Sequence, residues 1–360
     1  MQDSTSGLAP AKGEVIGMDI GDRQTVIVVM DADGKVTSRT EVETKTAKLE
    51  AYFSNHAACR VMLEVGTHSP WIGRLLCRLG YEAIVLNPRR IRLIAESTRK
   101  NDLADAVILA DLGRMGMSGI RRIVHREEQE QADLEVLRAR SCLISERTRL
   151  VNHLRGVLKS TGLRPPSCDA RAAAQVLRPH IPESMAPALL PLVESIQGLT
   201  DRIRQYDLEV ERLIRERYED ALVLQTVTGV GPITSLTYVL TVGDPTRFAS
   251  SRQLGPYLGL VPGLRQSGER SREQRISKEG DRQVRALLVQ SAHYILAHEA
   301  ADSDLRRWAL KKVGTSKGSK KRAAVALARK LAVILHRLWV SGEPFEPFRQ
   351  RETSAAEQAA

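Results

Sequence analysis

Four carboxylates stand where phosphate-cleaving chemistry would need them. Asp19 lies near the end of the run VIGMDI, Glu64 near the end of RVMLEV, and Asp102 and Asp105 in the polar stretch RKNDLADAVILADL. Three residues separate the last two, which places them on one face of a helix. Such hard oxygen donors suit Mg²⁺ or Mn²⁺, and two-metal nucleases gather carboxylates around ions about 3.5–4 Å apart, flanking a scissile phosphate. Four acids brought together without a cation would repel, so their clustering would itself imply metal. Taken singly, each has an ordinary explanation: Asp19 can end a strand, Glu64 can be solvated, and Asp102 can cap the helix Asp102–Met115. Asp22, Asp31, Asp33 and Asp111 fit the cluster less well and read as turn or surface residues.

A second chemistry is available further along. Ser267-Gly268 lies in a polar loop with Arg265, Arg270, Arg272, Arg275 and Lys278, where a hydroxyl could meet a phosphate among cations. Composition alone favours a loop that merely grips phosphate, and Ser271 and Ser277 are alternative hydroxyls. The stretch Arg306–Lys330 holds ten Lys and Arg, including Lys317, Lys320 and Lys321, and no acid. Because it continues into the amphipathic KLAVILHRLWV, it reads as folded backbone in contact with nucleic acid rather than as a solvated tail. Arg89 and Arg90, after the strand EAIVLN, are further candidates for phosphate.

The elements that must position these residues follow from periodicity. VIGMDI, QTVIVVMD and KVTSRTEV read as three successive strands, the last two joined through the turn at Asp33-Gly34. A helix near Ala47–His56, strand RVMLEV, helix WIGRLLCRLG, strand EAIVLN and helices after Pro88 complete the region. Three meandering strands followed by strand-helix alternation match a ribonuclease H-like sheet better than a doubly wound one, and such a sheet would bring all four acids to one edge.

The region 127–220 has almost no strand signal. Leu192, Ile196, Leu199, Ile203, Tyr206, Val210 and Leu213 alternate by four and three residues as a coiled-coil seam. Leu134–Leu158 and Pro191–Arg217 would form two arms of a helical hairpin, with the seam pairing either within the chain or between copies. LQTVTGVGPITSLTYVL then resembles a helix-hairpin-helix element, with backbone N–H groups at the second helix's start facing a phosphate; a plain Gly-Pro helix junction is the simpler alternative. The expected division is 1–126, 127–220, 221–347 and a disordered tail 348–360.

Composition bounds the rest. The 360 residues carry a net charge of +11, which suggests a polyanionic partner. Cys59, Cys77, Cys142 and Cys168 are far apart and read as reduced buried thiols rather than a zinc site or disulfide framework. The N-terminus shows no signal-peptide core, and no window reaches the roughly 18 apolar residues of a membrane span, so a cytoplasmic, nucleoid-associated location is expected.

Read in order, GMDIGD, LEVGTH, VLNPRR, RKNDLADA, VTGVGPITS, GDPTRFASSRQLGPYLGLVP, RQSG, RISKEG and RKLAVILHRLWVSGEPF resemble the DEDD transposase family of bacterial insertion sequences, the bridge-RNA-guided serine recombinases. The resemblance covers nearly the whole chain. It implies a RuvC-like α/β domain, a coiled-coil insertion and a mainly helical C-terminal transposase domain. It further implies Asp19, Glu64, Asp102 and Asp105 as metal ligands, Ser267 as nucleophile, a guide RNA made by the element, donor and target double-stranded DNA as substrates, and a tetramer of two dimers. Gln266 stands where an acid would be expected, and Glu273-Gln274 where many relatives carry a glycine. DIGDRQTVIVVMDADG also resembles the first phosphate loop of actin-like ATPases, but the second Asp-Gly hairpin and Gly-rich adenosine motif of that family are missing. A water-using junction resolvase and a non-catalytic nucleic-acid scaffold remain the alternatives.

Overall fold

The computed structural model describes residues 11, 13–87, 101–116, 122–267, 270–316 and 318–348, without the side chains of 264–274. Arg89, Arg90, Lys317, any helix expected between Pro88 and Lys100 and nearly all of the tail lie outside the described residues, as do the side chains of Arg265, Ser267, Arg270, Ser271 and Arg272. The chain divides into two compact units, Met1–Glu128 and Gln129–Ala360.

The first unit is built on five strands, β1 (Val15–Ile20), β2 (Gln24–Met30), β3 (Val36–Glu43), β4 (Arg60–Glu64) and β5 (Glu82–Leu86), in the order β3-β2-β1-β4-β5. The first three form an antiparallel meander, and β4 and β5 run parallel to β1. This mixed sheet is compatible with the ribonuclease H-like arrangement expected from the strand pattern. At the β2–β3 turn the Asp31 carboxylate accepts the backbone N–H of Asp33 and Lys35. Period-two alternation gives the sheet two apolar faces. Ile16, Met18, Val61 and Leu63 pack under α1 (Thr46–Ser54) and α2 (Ser69–Arg78), in one cluster with Leu49, Phe53, Ile72 and Leu75. On the opposite face Val15, Met62, Ile84 and Leu86 pack with Leu109 and Leu112 of α3 (Asp102–Met115).

The second unit begins with the helical hairpin. Its arms are α4 (Glu128–Ser160) and α6 (Ala186–Arg217), linked through the short α5 (Ala173–Leu177). Ile196, Ile203, Val210 and Leu213 are buried as the seam requires, with Leu189, Val193 and Ile214 beside them. Polar pairs fix the register of the arms: Arg140 with Asp207 at 2.6 Å, Arg147 with the Thr200 hydroxyl at 3.2 Å, and buried Asp133 with Arg217 and the Tyr218 hydroxyl. Of the two pairings open in the sequence, the one within the chain is present: Ile196, Ile203, Val210 and Leu213 are covered intramolecularly.

The two ends of the hairpin belong to different cores. Leu134, Leu137, Val210 and Leu213 join the large C-terminal cluster, whereas Val151, Leu154, Leu158, Leu177 and Val193 form a small one of their own. The remaining elements are α7 (Asp220–Leu224), α8 (Pro232–Val242), α9 (Leu254–Tyr257), β6 (Pro262–Ser267), β7 (Arg270–Ile276), α10 (Arg282–Ile295), α11 (Asp304–Leu310) and α12 (Ser319–Ser341). Tyr238 is fully buried among them and donates its hydroxyl to the Ala332 carbonyl at 2.6 Å. Cys77 and Cys142 are exposed, not buried as expected, because each falls on the outward side of its helix. No helix of the described residues is long and apolar enough to cross a membrane.

Candidate active site

Strand alternation decides where the first two acids point. Val15 and Gly17 face α3, so Asp19, two residues on, lies on the same side of β1; Met62 faces α3, so Glu64 does too. The parallel register sets Met18 beside Leu63, which leaves Asp19 and Glu64 one step further along neighbouring strands.

The helix supplies the other two. Leu109 and Leu112 form its sheet-facing stripe, and Asp105 and Asp102 continue that stripe at spacings of four and three toward its N-terminus. Two glycines let the helix lie close against the strands. A Cβ at Gly17 would come within 2.0 Å of the Ala106 carbonyl oxygen, and one at Gly113 within 2.5 Å of Met62. Ala106 follows Asp105 directly, so this approach sets the height of the carboxylate over β1. Asp102 lines a cleft with Val26 and Glu41, the residues that pair across the meander from Asp19. All four acids thus occupy one face and one end of the sheet.

The ordinary reading of Asp102 as a helix cap does not hold. Asn101 is the cap, accepting the Leu103 N–H at 3.1 Å. Asp105 Oδ1 is shielded from solvent with no hydrogen-bond partner, and Glu64 Oε1 is shielded as well. A buried carboxylate oxygen left unsatisfied is costly unless a cation meets it. Among the described residues no three Asp, Glu, His or Cys side chains converge tightly enough to hold an ion. The donor chemistry, shared face and orphaned oxygen fit a hard divalent cation; the side chains are not drawn around one centre.

A histidine missed by the sequence reading stands at this end of the sheet. Trp71 donates its indole N–H to His68 Nδ1 at 3.1 Å, so the neutral imidazole carries its proton on Nε2, which faces Asp22 Oδ1 at 3.3 Å. Asp22 is the turn residue expected, its side chain 92% exposed, and it has this long-range partner in addition. The only hint in the sequence is the placement of Asp22 and His68 just after the strands that carry Asp19 and Glu64.

In the second unit, Ser267 closes β6 and pairs with Arg270 at the end of a two-stranded ribbon. Where the sequence suggests a polar loop, the described backbone on either side of residues 268–269 forms paired antiparallel strands. Arg275, near the end of β7, and Lys278, just beyond it, are exposed. Lys278 has φ 57°, held there by its N–H to the Gly259 carbonyl at 3.1 Å, a left-handed conformation that L-residues adopt at a cost. Lys320 and Lys321 are exposed in the first turn of α12. Other cations of the same basic run have partners: exposed Arg307 with Asp302, and Lys330 over the Trp308 ring at 4.2 Å. The Gly-Val-Gly segment forms the expected turn between α7 and α8, with Gly229 at φ +84° and Pro232 opening the second helix.

Two family models match the chain. Residues 16–162 match the DEDD transposase model of the IS110 group, and residues 221–306 match the model described as Transposase IS116/IS110/IS902 family. Among curated proteins, the transposase for insertion sequence element IS1111A of Coxiella burnetii is 30% identical over 345 residues, covering 92% of this chain and 91% of the relative. A probable family 20 transposase of Pseudomonas aeruginosa is 28% identical over 327 residues, covering 89% and 95%. The transposase for IS1328 of Yersinia enterocolitica is 27% identical over 335 residues, covering 92% and 98%.

Proposed function

From the premise that the chain belongs to the IS116/IS110/IS902 family of insertion-sequence transposases, we propose that it cuts and rejoins donor and target DNA through a phosphoserine at Ser267. What supports the metal-assisted part is the placement of Asp19, Glu64, Asp102 and Asp105 on one face and at one end of the sheet, with the orphaned Asp105 Oδ1 among them.

Those four residues would hold Mg²⁺ or Mn²⁺, which when bound stabilises charge on the phosphate and on the departing oxygen. The hydroxyl oxygen of Ser267 attacks phosphorus as its proton is lost. A Ser–O–P bond forms, the P–O3′ bond breaks, and the leaving 3′ oxygen takes up a proton. A 3′-hydroxyl from another strand then attacks the phosphoserine, the new P–O bond replaces the Ser–O–P bond, and the serine hydroxyl is regenerated. The diester's bond energy is conserved, so no nucleotide triphosphate is consumed. Arg265, Arg270, Arg272, Arg275 and Lys278 would flank the phosphate, while Arg89, Arg90, Lys317, Lys320 and Lys321 would hold backbone elsewhere. An element-encoded guide RNA, pairing with both DNAs, would supply the sequence recognition that none of these phosphate contacts provides. A tetramer of two dimers acting at the nucleoid completes the reading.

The test is to trap the protein on a nicked suicide substrate with Mg²⁺ and to map the adduct by mass spectrometry. A phosphopeptide at Ser267, lost in Ser267→Ala with DNA binding retained, is the expected result. Hydrolysed DNA without adduct, or full strand exchange by Ser267→Ala, would assign the chain to the water-using nucleases.

A further inference from the structure

The second unit contains a cleft of about 1220 Å³ walled by α4, by the Gln225–Gly231 turn with the start of α8, and by α10. This exceeds the roughly 300–1,000 Å³ of a typical small-molecule pocket. Its lining includes Arg138, Arg140 and Arg282 and contains no Asp or Glu. Glu135 and Asp207 pair with Arg138 and Arg140 from outside the lining, and Arg282 is exposed at the start of α10.

Two further features ask for an acceptor. Gln225 Nε2 is shielded from solvent with no hydrogen-bond partner. The start of α8 has glycine as its N-cap, so no side chain caps its first-turn amides. The wall therefore presents donors and positive charge to the cleft.

The remaining feature is aromatic. Tyr294 lines the cleft and is 59% exposed. Its ring is nevertheless pressed against the turn: a Cβ at Gly229 would lie 3.0 Å from Tyr294 Cδ1 and 3.2 Å from the Ser291 carbonyl oxygen. An exposed ring braced by backbone is a preorganised stacking surface, since little freedom remains to be lost when a planar group lands on it.

We infer that this cleft binds an unpaired stretch of polynucleotide, its phosphates on the Arg282 side and on the α8 amides and one base stacked on Tyr294. Phosphate supplies the acceptors that the lining lacks. A base must be unstacked to offer its π-face, which a continuous duplex does not allow. The inference rests on the nucleic-acid reading of the chain, but its measurement requires no strand exchange, so either can fail while the other stands.

The experiment measures binding of labelled oligo-dT, oligo-U and a short duplex to the full chain by fluorescence anisotropy across a salt series. Tyr294→Ala should weaken both single-stranded probes by roughly 5- to 150-fold. Tyr294→Phe should retain binding, and the duplex should be unaffected by either change. Arg282→Gln should flatten the single-strand salt dependence by about 0.7 in log K per log salt. Circular dichroism and thermal melting of each variant check that the fold is intact. Loss on oligo-U alone would name RNA as the occupant, and loss on oligo-dT alone DNA. Unchanged single-strand binding in folded Tyr294→Ala, or equal losses on single strand and duplex, would overturn the inference.

Discussion

Helices α3 and α12 treat charge at their first turns in opposite ways. In α3 the turn carries Asp102 and Asp105 behind a side-chain cap from Asn101. In α12 it carries Lys320, Lys321 and Arg322 behind Gly318, a left-handed residue that supplies no cap. The N-terminal end of a helix dipole is positive, so it favours the acids of α3 and opposes the cations of α12. The first arrangement sets two carboxylates at a favourable helix end, Asp105 half-buried and Asp102 exposed. The second concentrates positive field in the open, where an arriving phosphate would relieve it. One end is therefore expected to respond steeply to single substitutions, and the other weakly and additively.

The largest effect is expected at Asp105. Asp105→Asn keeps shape and volume but removes a ligand charge, and the loss of several kcal/mol of transition-state stabilisation should lower strand cleavage by about 10³-fold or more. Because Oδ1 has no hydrogen-bond partner to lose, the melting temperature should stay level. Cleavage assays on Asp105→Asn and Asp19→Asn, with DNA binding in parallel, check this. Near-normal cleavage in both would show that the acids are not ligands, and the contrast between the two helix ends would collapse.

Next comes Gly17→Ala, which touches no acid. The added Cβ meets backbone 2.0 Å away, so α3 must move, at a cost toward the upper end of about 1–3 kcal/mol for overpacking. Denaturant titration should show the lost stability, and cleavage should fall with it. Lost activity without lost stability would mean that the helix height is set by something other than this approach.

The first unit was the more legible in sequence because its signals are local. Each of VIGMDI, QTVIVVM and RVMLE is a strand, and alternation within a strand already assigns a face. Where a signal needed a partner, reading stopped short. The heptad stripe through Ile196, Ile203 and Val210 announces that something covers it, but not that the cover is α4, about fifty residues earlier. Asp22 is the surface turn its neighbours suggest, but its contact with His68, 46 residues on, has no local signal. The basic run Arg306–Lys330 is uniform as sequence, yet folding pairs exposed Arg307 with Asp302 and lays Lys330 over Trp308, while Lys320 and Lys321 are exposed in the first turn of α12. Charge counts are additive and blind to this sorting, which only tertiary packing performs.

The smallest effect tests the opposition of the two helix ends most directly, because two measurements should move in opposite senses. Lys320 sits exposed in the first turn of α12, where its charge opposes the helix dipole and adds to that of Lys321 and Arg322. Lys320→Glu replaces a repulsive charge with an attractive one and should stabilise the fold by about 0.3–1 kcal/mol at low ionic strength. If the turn meets nucleic-acid phosphate, the same substitution should weaken duplex binding for every sequence and flatten its salt dependence by up to about 0.9 in log K per log salt. Lys320→Gln should fall between on both measurements. A rise in stability without any change in binding would make the cations of α12 a surface feature with no phosphate to meet. A loss confined to one DNA sequence would contradict a backbone contact, since phosphates are the same at every site.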